Sequence, residues 1–270
     1  VYAFGDVYTA PSISAHPVST SVCAGNATTF SVTASGGMLT YQWQRNTGSG
    51  WSNLTNAGIF YGVNTAVLRI SNTVDASYNL NQFRCVVSGA CTPAVTSNAA
   101  TLTVNSAVSI QSQPSNVSVC ANSATSFSVS STGTGLAYQW QVYSSGSWSN
   151  ITNGGIYSGA TTSTLSLSTT SNSENNLKYQ CVITGTCSNL TSASATLTVN
   201  NVPAAPTTIL GDMTICENTN QSYAVNDISG ATSYTWTLPA GWTGTSVLRA
   251  INISASTSGG YISVKANNSC

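Results

Sequence analysis

The chain has 270 residues, of which six are Lys or Arg and six are Asp or Glu, so its formal net charge is zero. A neutral chain gives no electrostatic reason to bind nucleic acid or an anionic membrane surface. It also contains no apolar run of about 18 residues, the length of a membrane helix, so we expect neither a nucleic-acid partner nor membrane insertion. Six Trp, twelve Tyr and regularly placed aliphatic residues predict a packed core in spite of the few charges.

Sequence motifs recur along the chain at a nearly constant interval. "SVCAGNATTFSV" begins at Ser21 and returns as "SVCANSATSFSV" at Ser118, and "YQWQ" at Tyr41 returns at Tyr138, so the offset is 97 residues. A more divergent third unit keeps the landmarks "TIC", "YTWTLP" and "YISVKANNSC". Repetition at this period predicts tandem domains. We expect the end of a preceding segment or a linker at 1–12, repeat 1 at 13–105, repeat 2 at 106–200 and repeat 3, truncated before its last strand, at 201–270.

Apolar and polar residues alternate in short segments separated by Gly, Asn and Ser. In "TSFSVSS", Phe127 and Val129 fall on one face, and no stretch of the chain follows a helical period. About seven such strands per repeat predict an all-β chain of tandem β-sandwiches. The segments between repeats are short and carry Pro, so we expect an extended rod in which each repeat contacts its neighbours.

Core positions of repeats 1 and 2 follow an immunoglobulin-like plan. A Trp stands in strand C, an aromatic residue two positions before a Cys opens strand F, and strand B has Val where that plan has its second Cys. These residues are Trp43 and Trp140, Phe83 with Cys85, Tyr179 with Cys181, and Val32 and Val129. The usual disulfide between strands B and F therefore cannot form, and we expect Cys85 and Cys181 to be free buried thiols.

The run "SVCAGNATTFSV…YQWQ…FRCVVSGAC…SNAATLTVN" resembles the immunoglobulin-like repeats of giant surface adhesins from Bacteroidetes. The third unit, "ICENTNQSYAV…GATSYTWTLPAGWTG…ISVKANNSC", is similar to the PKD-like repeats found in the same proteins. The resemblance covers nearly the whole chain from Ile13 onward. It implies export to the cell surface, commonly through the type IX secretion system.

Residues that could support catalysis are few and dispersed. The single His16 has no acidic neighbour in the sequence, and Asp75 and Glu174 fall in similar loops of different repeats. The acidic residues of the third unit are scattered: Asp212, Glu217 and Asp227. The cysteines have no short spacing other than C-x5-C, which does not fit a metal site. We therefore expect no enzyme activity, no metal and no cofactor.

Aromatic residues in a Ser-, Thr- and Asn-rich surface are candidates for stacking against sugars. They are Trp51, Trp148, Tyr61, Tyr157 and Trp242. The alternative is that each aromatic ring covers the edge of its own sandwich. Repetition of the Trp in both repeats favours that scaffold role.

Six cysteines are candidates for disulfide bonds and fall into two sets. We call Cys23, Cys120 and Cys216 the early cysteines, and Cys91, Cys187 and Cys270 the F–G cysteines, because the latter follow strand F. The third unit has Ser where strand F has its Cys but keeps one cysteine of each set. Because the third unit keeps Cys216 and Cys270 and lacks the strand F cysteine, these two are most simply partners. By repetition, the favoured bonds lie within each repeat: Cys23–Cys91, Cys120–Cys187 and Cys216–Cys270. The long loops that these bonds close favour them over a Cys181–Cys187 clip.

One geometric argument opposes bonds within a repeat. In an immunoglobulin topology, the turn before strand B and the F–G loop lie at opposite ends of the sandwich, whereas bonded Cα atoms lie about 4.4–6.8 Å apart. The alternative joins the end of one repeat to the start of the next, as Cys23–Cys187 and Cys120–Cys270. A Cys181–Cys187 clip within one hairpin is the third arrangement. All three arrangements stay open, because connectivity cannot be deduced from sequence.

These observations predict a non-catalytic structural or adhesive segment of a secreted or cell-surface repeat protein, such as an adhesin stalk or fibre. The alternatives are a carbohydrate-binding accessory region of a secreted polysaccharide-degrading enzyme and a self-assembling extracellular filament or sheath subunit. The expected partners are neighbouring repeats, surface glycans or other copies of the chain. Eight cysteines indicate an oxidising compartment, and we expect an extracellular or outer-membrane-associated location.

Overall fold

The computed structural model describes residues 5–71 and 76–270, and Asp75 lies outside them. The described residues form β-strands joined by turns, with two short 3-10 helices at Ala76–Tyr78 and Asn172–Glu174 and no α-helix. The predicted all-β class is confirmed.

Repeat 1 forms two main sheets that enclose one core. Its strands are β1 (Ser12–Ala15), β2 (Thr20–Cys23), β3 (Thr28–Ser31), β4 (Thr33–Ser35), β5 (Thr40–Asn46), β6 (Trp51–Asn53), β7 (Phe60–Tyr61), β8 (Val67–Ile70), β9 (Asn81–Ser88), β10 (Val95–Thr96) and β11 (Ala100–Asn105). One sheet has the order β2-β11-β9-β5-β6, with β10 beside β9, and the other has the order β3-β8-β7. Strands β1 and β4 form a separate antiparallel pair.

The core of repeat 1 follows from the alternation along its strands. Side chains of β9 are alternately buried and half-buried, as expected for a strand with one face against the core. Trp43 lies directly opposite Cys85 in the antiparallel ladder, and both are fully buried. The indole of Trp43 donates a hydrogen bond to the carbonyl oxygen of Thr65 at 2.9 Å. Val32, in the strand B position, is also buried, so no second sulfur faces Cys85 there.

Repeat 2 has the same strand order as repeat 1. Its strands are β12 (Ser109–Ser112), β13 (Val117–Cys120), β14 (Thr125–Ser128), β15 (Ser130–Thr132), β16 (Ala137–Ser144), β17 (Ser147–Asn150), β18 (Tyr157–Ser158), β19 (Thr164–Leu167), β20 (Lys178–Thr184), β21 (Asn189–Thr191) and β22 (Ala195–Asn200). The larger sheet runs β13-β22-β20-β16-β17, and the smaller runs β14-β19-β18. Trp140 is fully buried and donates to the carbonyl oxygen of Thr162 at 2.9 Å, as Trp43 does to Thr65.

Repeat 3 is smaller. Its strands are β23 (Ile209–Leu210), β24 (Asn220–Val225), β25 (Ser233–Thr237), β26 (Ala250–Ser254) and β27 (Ser263–Asn267). They form the sheets β23-β24-β26 and β25-β27, with Tyr223, Ile251 and Ile253 in one buried cluster and Tyr234 with Val225 in another.

The chain packs as two compact units. Unit 1 comprises Val1–Gln111, Ser130–Ala137 and Ile183–Leu190, and unit 2 comprises Ser112–Val129, Tyr138–Val182 and Thr191–Cys270. Unit 1 thus includes the F–G loop of repeat 2 together with repeat 1, and unit 2 includes most of repeat 2 together with repeat 3. The repeat boundaries at 105/106 and 200/201 stay predictions.

Candidate functional site

A disulfide in unit 1 joins repeat 1 to repeat 2. Cys23, the last residue of β2, is bonded to Cys187 in the F–G loop, with Cα atoms 5.6 Å apart. Strands β2 and β11 are parallel, and their register places Cys23 beside Asn105, the last residue of β11. The amide of Ala24 donates to the carbonyl oxygen of Asn105 at 2.8 Å, and the same oxygen lies 3.6 Å from Sγ of Cys187. This disulfide therefore lies at the point where the chain leaves repeat 1.

A second disulfide in unit 2 has the same surroundings. Cys120, at the end of β13, is bonded to Cys270, with Cα atoms 5.5 Å apart. Parallel pairing of β13 and β22 places Cys120 beside Asn200. The carbonyl oxygen of Asn200 accepts from the amide of Ala121 at 2.9 Å and lies 3.7 Å from Sγ of Cys270. We call a disulfide between an early cysteine and the F–G cysteine of the next repeat a staple.

These two bonds correct the prediction that cysteines pair within each repeat. Neither Cys23–Cys91 nor Cys120–Cys187 is formed, and Cys91 and Cys216 are free thiols. The reason is topological: the parallel strand pair holds the early cysteine at the exit of its repeat. Cys91 lies instead beside Tyr8, in the segment that precedes β1, where its thiol donates to the carbonyl oxygen of Tyr8 at 3.1 Å. The alternative arrangement between repeats is the one that the structure contains.

A common tight turn follows each early cysteine. The residue two positions after it has a left-handed backbone, with φ of 87° at Gly25, 64° at Asn122 and 58° at Asn218. Gly and Asn are the residues that adopt this conformation most readily. In all three turns the carbonyl oxygen of the cysteine accepts a hydrogen bond from the residue three positions on, from the backbone amides of Asn26 and Ser123 in repeats 1 and 2 and from the side-chain hydroxyl of Thr219 in repeat 3.

Hydrogen bonds also fix the linker that each staple spans. The amide of Ser106 donates to Oγ1 of Thr134 at 2.9 Å, and the amide of Thr134 returns a bond to the carbonyl oxygen of Ser106 at 3.2 Å. The amide of Val108 donates to Oγ of Ser188, next to the stapled Cys187, at 2.8 Å. Beside the second staple, Nδ2 of Asn268 donates to the carbonyl oxygen of Asn201 at 2.8 Å. A linker held by a disulfide and by backbone hydrogen bonds has few free torsions.

The strand F cysteines have a different environment. Cys85 and Cys181 are fully buried free thiols, and burial raises the pKa of each from 9.0 to about 11. Their amides donate to Oγ of Ser97 and Ser192, each at 2.9 Å. A protonated thiol inside a core is unreactive, so these cysteines pack as small apolar residues.

Three of the five candidate stacking aromatics contact neighbouring side chains of their own repeat. Trp51 lies under the guanidinium of Arg84, which is 4.1 Å from its ring centroid, and Trp148 packs against Tyr143 with ring centroids 5.2 Å apart. The hydroxyl of Tyr157 lies 3.2 Å from that of Tyr179.

The two remaining candidate aromatics are more accessible. Tyr61 is about half exposed and lines a groove with Thr29 and Arg69. Trp242 donates from its indole to the carbonyl oxygen of Ser258 at 2.8 Å and lines a cavity of about 320 Å³ with Glu217. Sugar stacking by these residues stays a prediction.

Titratable groups do not converge on a catalytic arrangement in the described part of the chain. Nδ1 of His16 accepts a hydrogen bond from the amide of Asn98 at 3.1 Å. Glu174 closes a capping box with Ser171; burial raises its pKa, but hydrogen bonds from Ser173 and Ser171 outweigh burial and lower it. Within residues 5–71 and 76–270, no group of three or more His, Cys, Asp or Glu could hold a metal ion.

Within residues 5–71 and 76–270, no helix is both long enough and apolar enough to cross a membrane.

Comparison with known proteins gives the fold and one family match. Residues 202–270 match the PKD-like domain family. The titin I-band fragment I67–I69 is similar over 97% of this chain and 94% of its own, with 16% identity and a TM-score of 0.62. The Sidekick-1 immunoglobulin domains 1–5 are similar over 98% of this chain and 57% of theirs, with 18% identity and a TM-score of 0.58. No curated protein sequence matches the chain. At these identities the structural likeness shows the fold alone, which is a tandem array of immunoglobulin-like sandwiches with a PKD-like match in its last part.

Proposed function

We propose that this chain is a non-catalytic stalk segment of a secreted or cell-surface adhesin of the Bacteroidetes type, which holds consecutive repeats together under tension. The observation that carries the proposal is the pair of staples, Cys23–Cys187 and Cys120–Cys270. Each joins one repeat to the next at the linker, where a chain of sandwiches joined by peptide alone would bend most easily. Disulfides persist in oxidising environments, which fits an extracellular location.

The staples also change how the chain carries a load. Tension applied at the two ends passes from Cys23 to Cys187 through one disulfide, and from Cys120 to Cys270 through the other. From Cys187 the tension can reach Cys270 directly along the chain or through Cys120 and the second disulfide, and the second route is shorter, with 67 residue-to-residue steps from Cys187 to Cys120. With the 22 residues that precede Cys23, about 89 residues can extend, which is roughly 310 Å at ~3.5 Å per residue. The reduced chain could extend to roughly 940 Å on the same basis.

Single-molecule stretching between the chain ends tests this proposal. The variant carrying both Cys91→Ser and Cys216→Ser is suitable, because it keeps the two staples and lacks the two free thiols that are not buried. We expect complete unfolding to lengthen it to roughly 310 Å, and to roughly 940 Å after reduction. Bonds within repeats would leave Cys120–Cys187 alone in this variant and would allow roughly 700 Å. An oxidised chain that stretches as far as the reduced one would contradict the proposal that the staples carry tension between repeats.

A carbohydrate-binding role is the second candidate, and the cavity beside Trp242 is the observation that favours it. An indole next to Glu217 and the hydroxyl groups of Ser256 and Ser258 offers both stacking and hydrogen bonds to a sugar. A glycan array with the intact chain tests it, with Trp242→Ala as the matched variant. Binding that is lost in Trp242→Ala supports this role, whereas no binding to any glycan contradicts it.

A further inference from the structure

We propose that Cys181 is a hidden nucleophile that opens the first staple, Cys23–Cys187, when repeat 2 unfolds. Its thiolate attacks Sγ of Cys187, forms a Cys181–Cys187 clip and releases Cys23. The staple between repeats 1 and 2 is thereby exchanged for a disulfide within repeat 2. The two reacting groups are a free thiol and a disulfide sulfur that lie six residues apart in the chain.

The folded repeat buries this thiol. Cys181 lies in β20, which is paired with β22 on one side and with β16 on the other, and its amide donates to Oγ of Ser192 at 2.9 Å. Alternate side chains of β20, those of Tyr179, Cys181 and Ile183, are all fully buried. Exposure of Cys181 therefore requires β20 to leave the sheet between its two neighbours, which means that repeat 2 unfolds.

Unfolding changes the reactivity of Cys181 in two ways. Burial raises the pKa of its thiol from 9.0 to about 11, and in the unfolded chain this cause is lost. A larger fraction of the thiol is then ionised near pH 8.5, and the thiolate is the form that attacks a disulfide. The short flexible segment between Cys181 and Cys187 also keeps the two sulfurs close together, at a high effective concentration.

Chain entropy favours the clip over the staple once repeat 2 is unfolded. The staple then closes a loop of about 82 residues, from Asn105 to Cys187, whereas the clip closes a loop of about seven residues. Because the probability of closing a flexible loop falls as about the 3/2 power of its length, the clip is favoured roughly 40-fold. The folded repeat favours the staple instead, because it holds Cys181 as a buried thiol.

The exchange needs no oxidant and no reductant. The Cys181 thiol gives its proton to solvent, and the thiolate forms the new S–S bond with Cys187. The S–S bond between Cys23 and Cys187 breaks, and Cys23 leaves as a thiolate that takes up a proton. The chain has the same number of disulfides and of thiols before and after the reaction.

The second staple lacks a nucleophile of this kind. Repeat 3 has Ser263 at the strand F position, so the segment that leads to Cys270 carries no neighbouring thiol. Cys181 is separated from Cys120 by 61 residues rather than by six, and the same scaling makes its attack there roughly 30-fold slower. We therefore expect the first staple to open while the second persists.

Under tension the exchange lengthens the chain, a consequence that rests on the proposed function. The load passes from Cys187 to Cys120, so the repeat that tension unfolds is the one that carries Cys181. Once Cys23 is released, the load follows the chain from residue 1 to Cys120, which is 119 steps or roughly 420 Å at ~3.5 Å per step, in place of roughly 310 Å. The exchange itself depends on the first staple and Cys181 alone.

Chemical unfolding tests the exchange without any load. The starting protein is the variant with Cys91→Ser and Cys216→Ser, and it is compared with two variants that add either Cys181→Ala or Cys85→Ala. Cys85 is the matched control, because it is the equivalent buried thiol of repeat 1. Each protein is first mapped to show that both staples are formed. It is then incubated at pH 8.5 without reductant, with or without guanidinium, before its free thiols are alkylated.

Tryptic peptides distinguish the staple from the clip. Cleavage after Arg45, Lys178 and Arg249 places Cys23 in residues 1–45 and both sulfurs of the clip in residues 179–249. We expect guanidinium to release residues 1–45 with an alkylated Cys23 and to leave an internal disulfide in residues 179–249. Release should be at least tenfold faster than in the native protein, at least tenfold slower with Cys181→Ala, and unchanged with Cys85→Ala.

The second staple reports general scrambling in the same digest. Residues 266–270 should stay bonded to residues 85–178 while residues 1–45 are released. Residues 1–45 that stay bonded to residues 179–249, or that are released equally with Cys181→Ala, would overturn the proposal. Equal rates in the native and unfolded protein, or for both staples, would also overturn it. None of these results would affect the tension carried by the staples, which stretching measures separately.

Discussion

Cys23 and Asn105 lie side by side as the last paired residues of two parallel strands, β2, the second strand of repeat 1, and β11, its last strand. Cys120 and Asn200 repeat this relationship in the next sandwich. Because the closing strand leads directly into the linker, the early cysteine faces the following repeat. Its partner is therefore an F–G cysteine from that repeat, which gives consecutive sandwiches a covalent joint.

Loss of the first staple should destabilise repeats 1 and 2. When repeat 2 is unfolded and repeat 1 is folded, Cys23 stays beside Asn105, so the disulfide closes a loop from Asn105 to Cys187 of about 82 residues. The lost chain entropy of a loop of this length corresponds to a stabilisation of about 4.5 kcal/mol. We expect Cys187→Ser to lower the unfolding midpoint in guanidinium, measured by Trp fluorescence, toward that of the reduced protein. Cys216→Ser is the control and should leave the midpoint unchanged. Equal midpoints for the two variants would refute a stabilising role of Cys23–Cys187.

Alkaline pH should weaken the sandwiches through Cys85 and Cys181. Burial raises the pKa of both thiols from 9.0 to about 11, so between these values the unfolded chain loses protons that the folded chain keeps. Stability is therefore complete below pH 9 and falls as the pH rises toward 11, by about 3 kcal/mol for each cysteine.

The free energy of unfolding between pH 8 and 10.5 checks this linkage. A variant with both cysteines replaced by Ala is less stable at pH 8, because it leaves two small cavities, but it should show a shallower decline with pH. Tyr179, whose pKa burial also raises, is present in both proteins and contributes equally. The same slope in both proteins would contradict the prediction.

The two tryptophans of repeat 2 should respond very differently to substitution. Trp140 is fully buried and its indole satisfies the carbonyl oxygen of Thr162. Trp140→Phe leaves a void and an unpaired acceptor, and we expect a loss of about 2–4 kcal/mol. Trp148 is only half-buried against Tyr143, so Trp148→Phe should cost less than about 1 kcal/mol. Denaturant unfolding of the two variants measures the difference, and comparable losses would show that the core assignment is wrong.

The turn after the second staple requires a left-handed residue. Asn122 has a φ of 64°, so Asn122→Ala should destabilise the turn by about 1 kcal/mol, because Cβ disfavours this conformation. Asn122→Gly should be nearly neutral, as Gly25 occupies the equivalent position in repeat 1. Thermal unfolding of both variants separates two effects. Backbone strain would destabilise Asn122→Ala alone, whereas loss of the Asn side chain would destabilise both variants equally.

The sequence predicts the interior of the sandwiches well and their junctions less well. Trp43 and Cys85 could be placed because period-two alternation identifies the buried face of each strand, and because repeat 2 carries the same residues. The pairing of Cys23 depends instead on the parallel register of β2 and β11, which joins residues 82 positions apart and leaves no local pattern.

The third repeat shows why the favoured pairing failed. Cys216 and Cys270 are both retained there, which suggested that they are partners. In the structure Cys270 is bonded to Cys120, and Cys216 is free. Cys270 is retained as half of the joint with repeat 2. The signal that could have identified this was the distance between the two ends of an immunoglobulin-like sandwich, which a single disulfide cannot span.

Tryptic mapping of the oxidised chain tests the cross-repeat staples most directly. Trypsin cuts after Lys265 and releases Ala266–Cys270, in which Cys270 is the one cysteine. The neighbouring cysteines fall in separate peptides, because cleavage after Arg84, Lys178 and Arg249 places Cys120 in residues 85–178 and Cys216 in residues 179–249. We expect Ala266–Cys270 to remain bonded to residues 85–178 until a reductant is added. Its recovery bonded to residues 179–249 would contradict the staple between repeats 2 and 3.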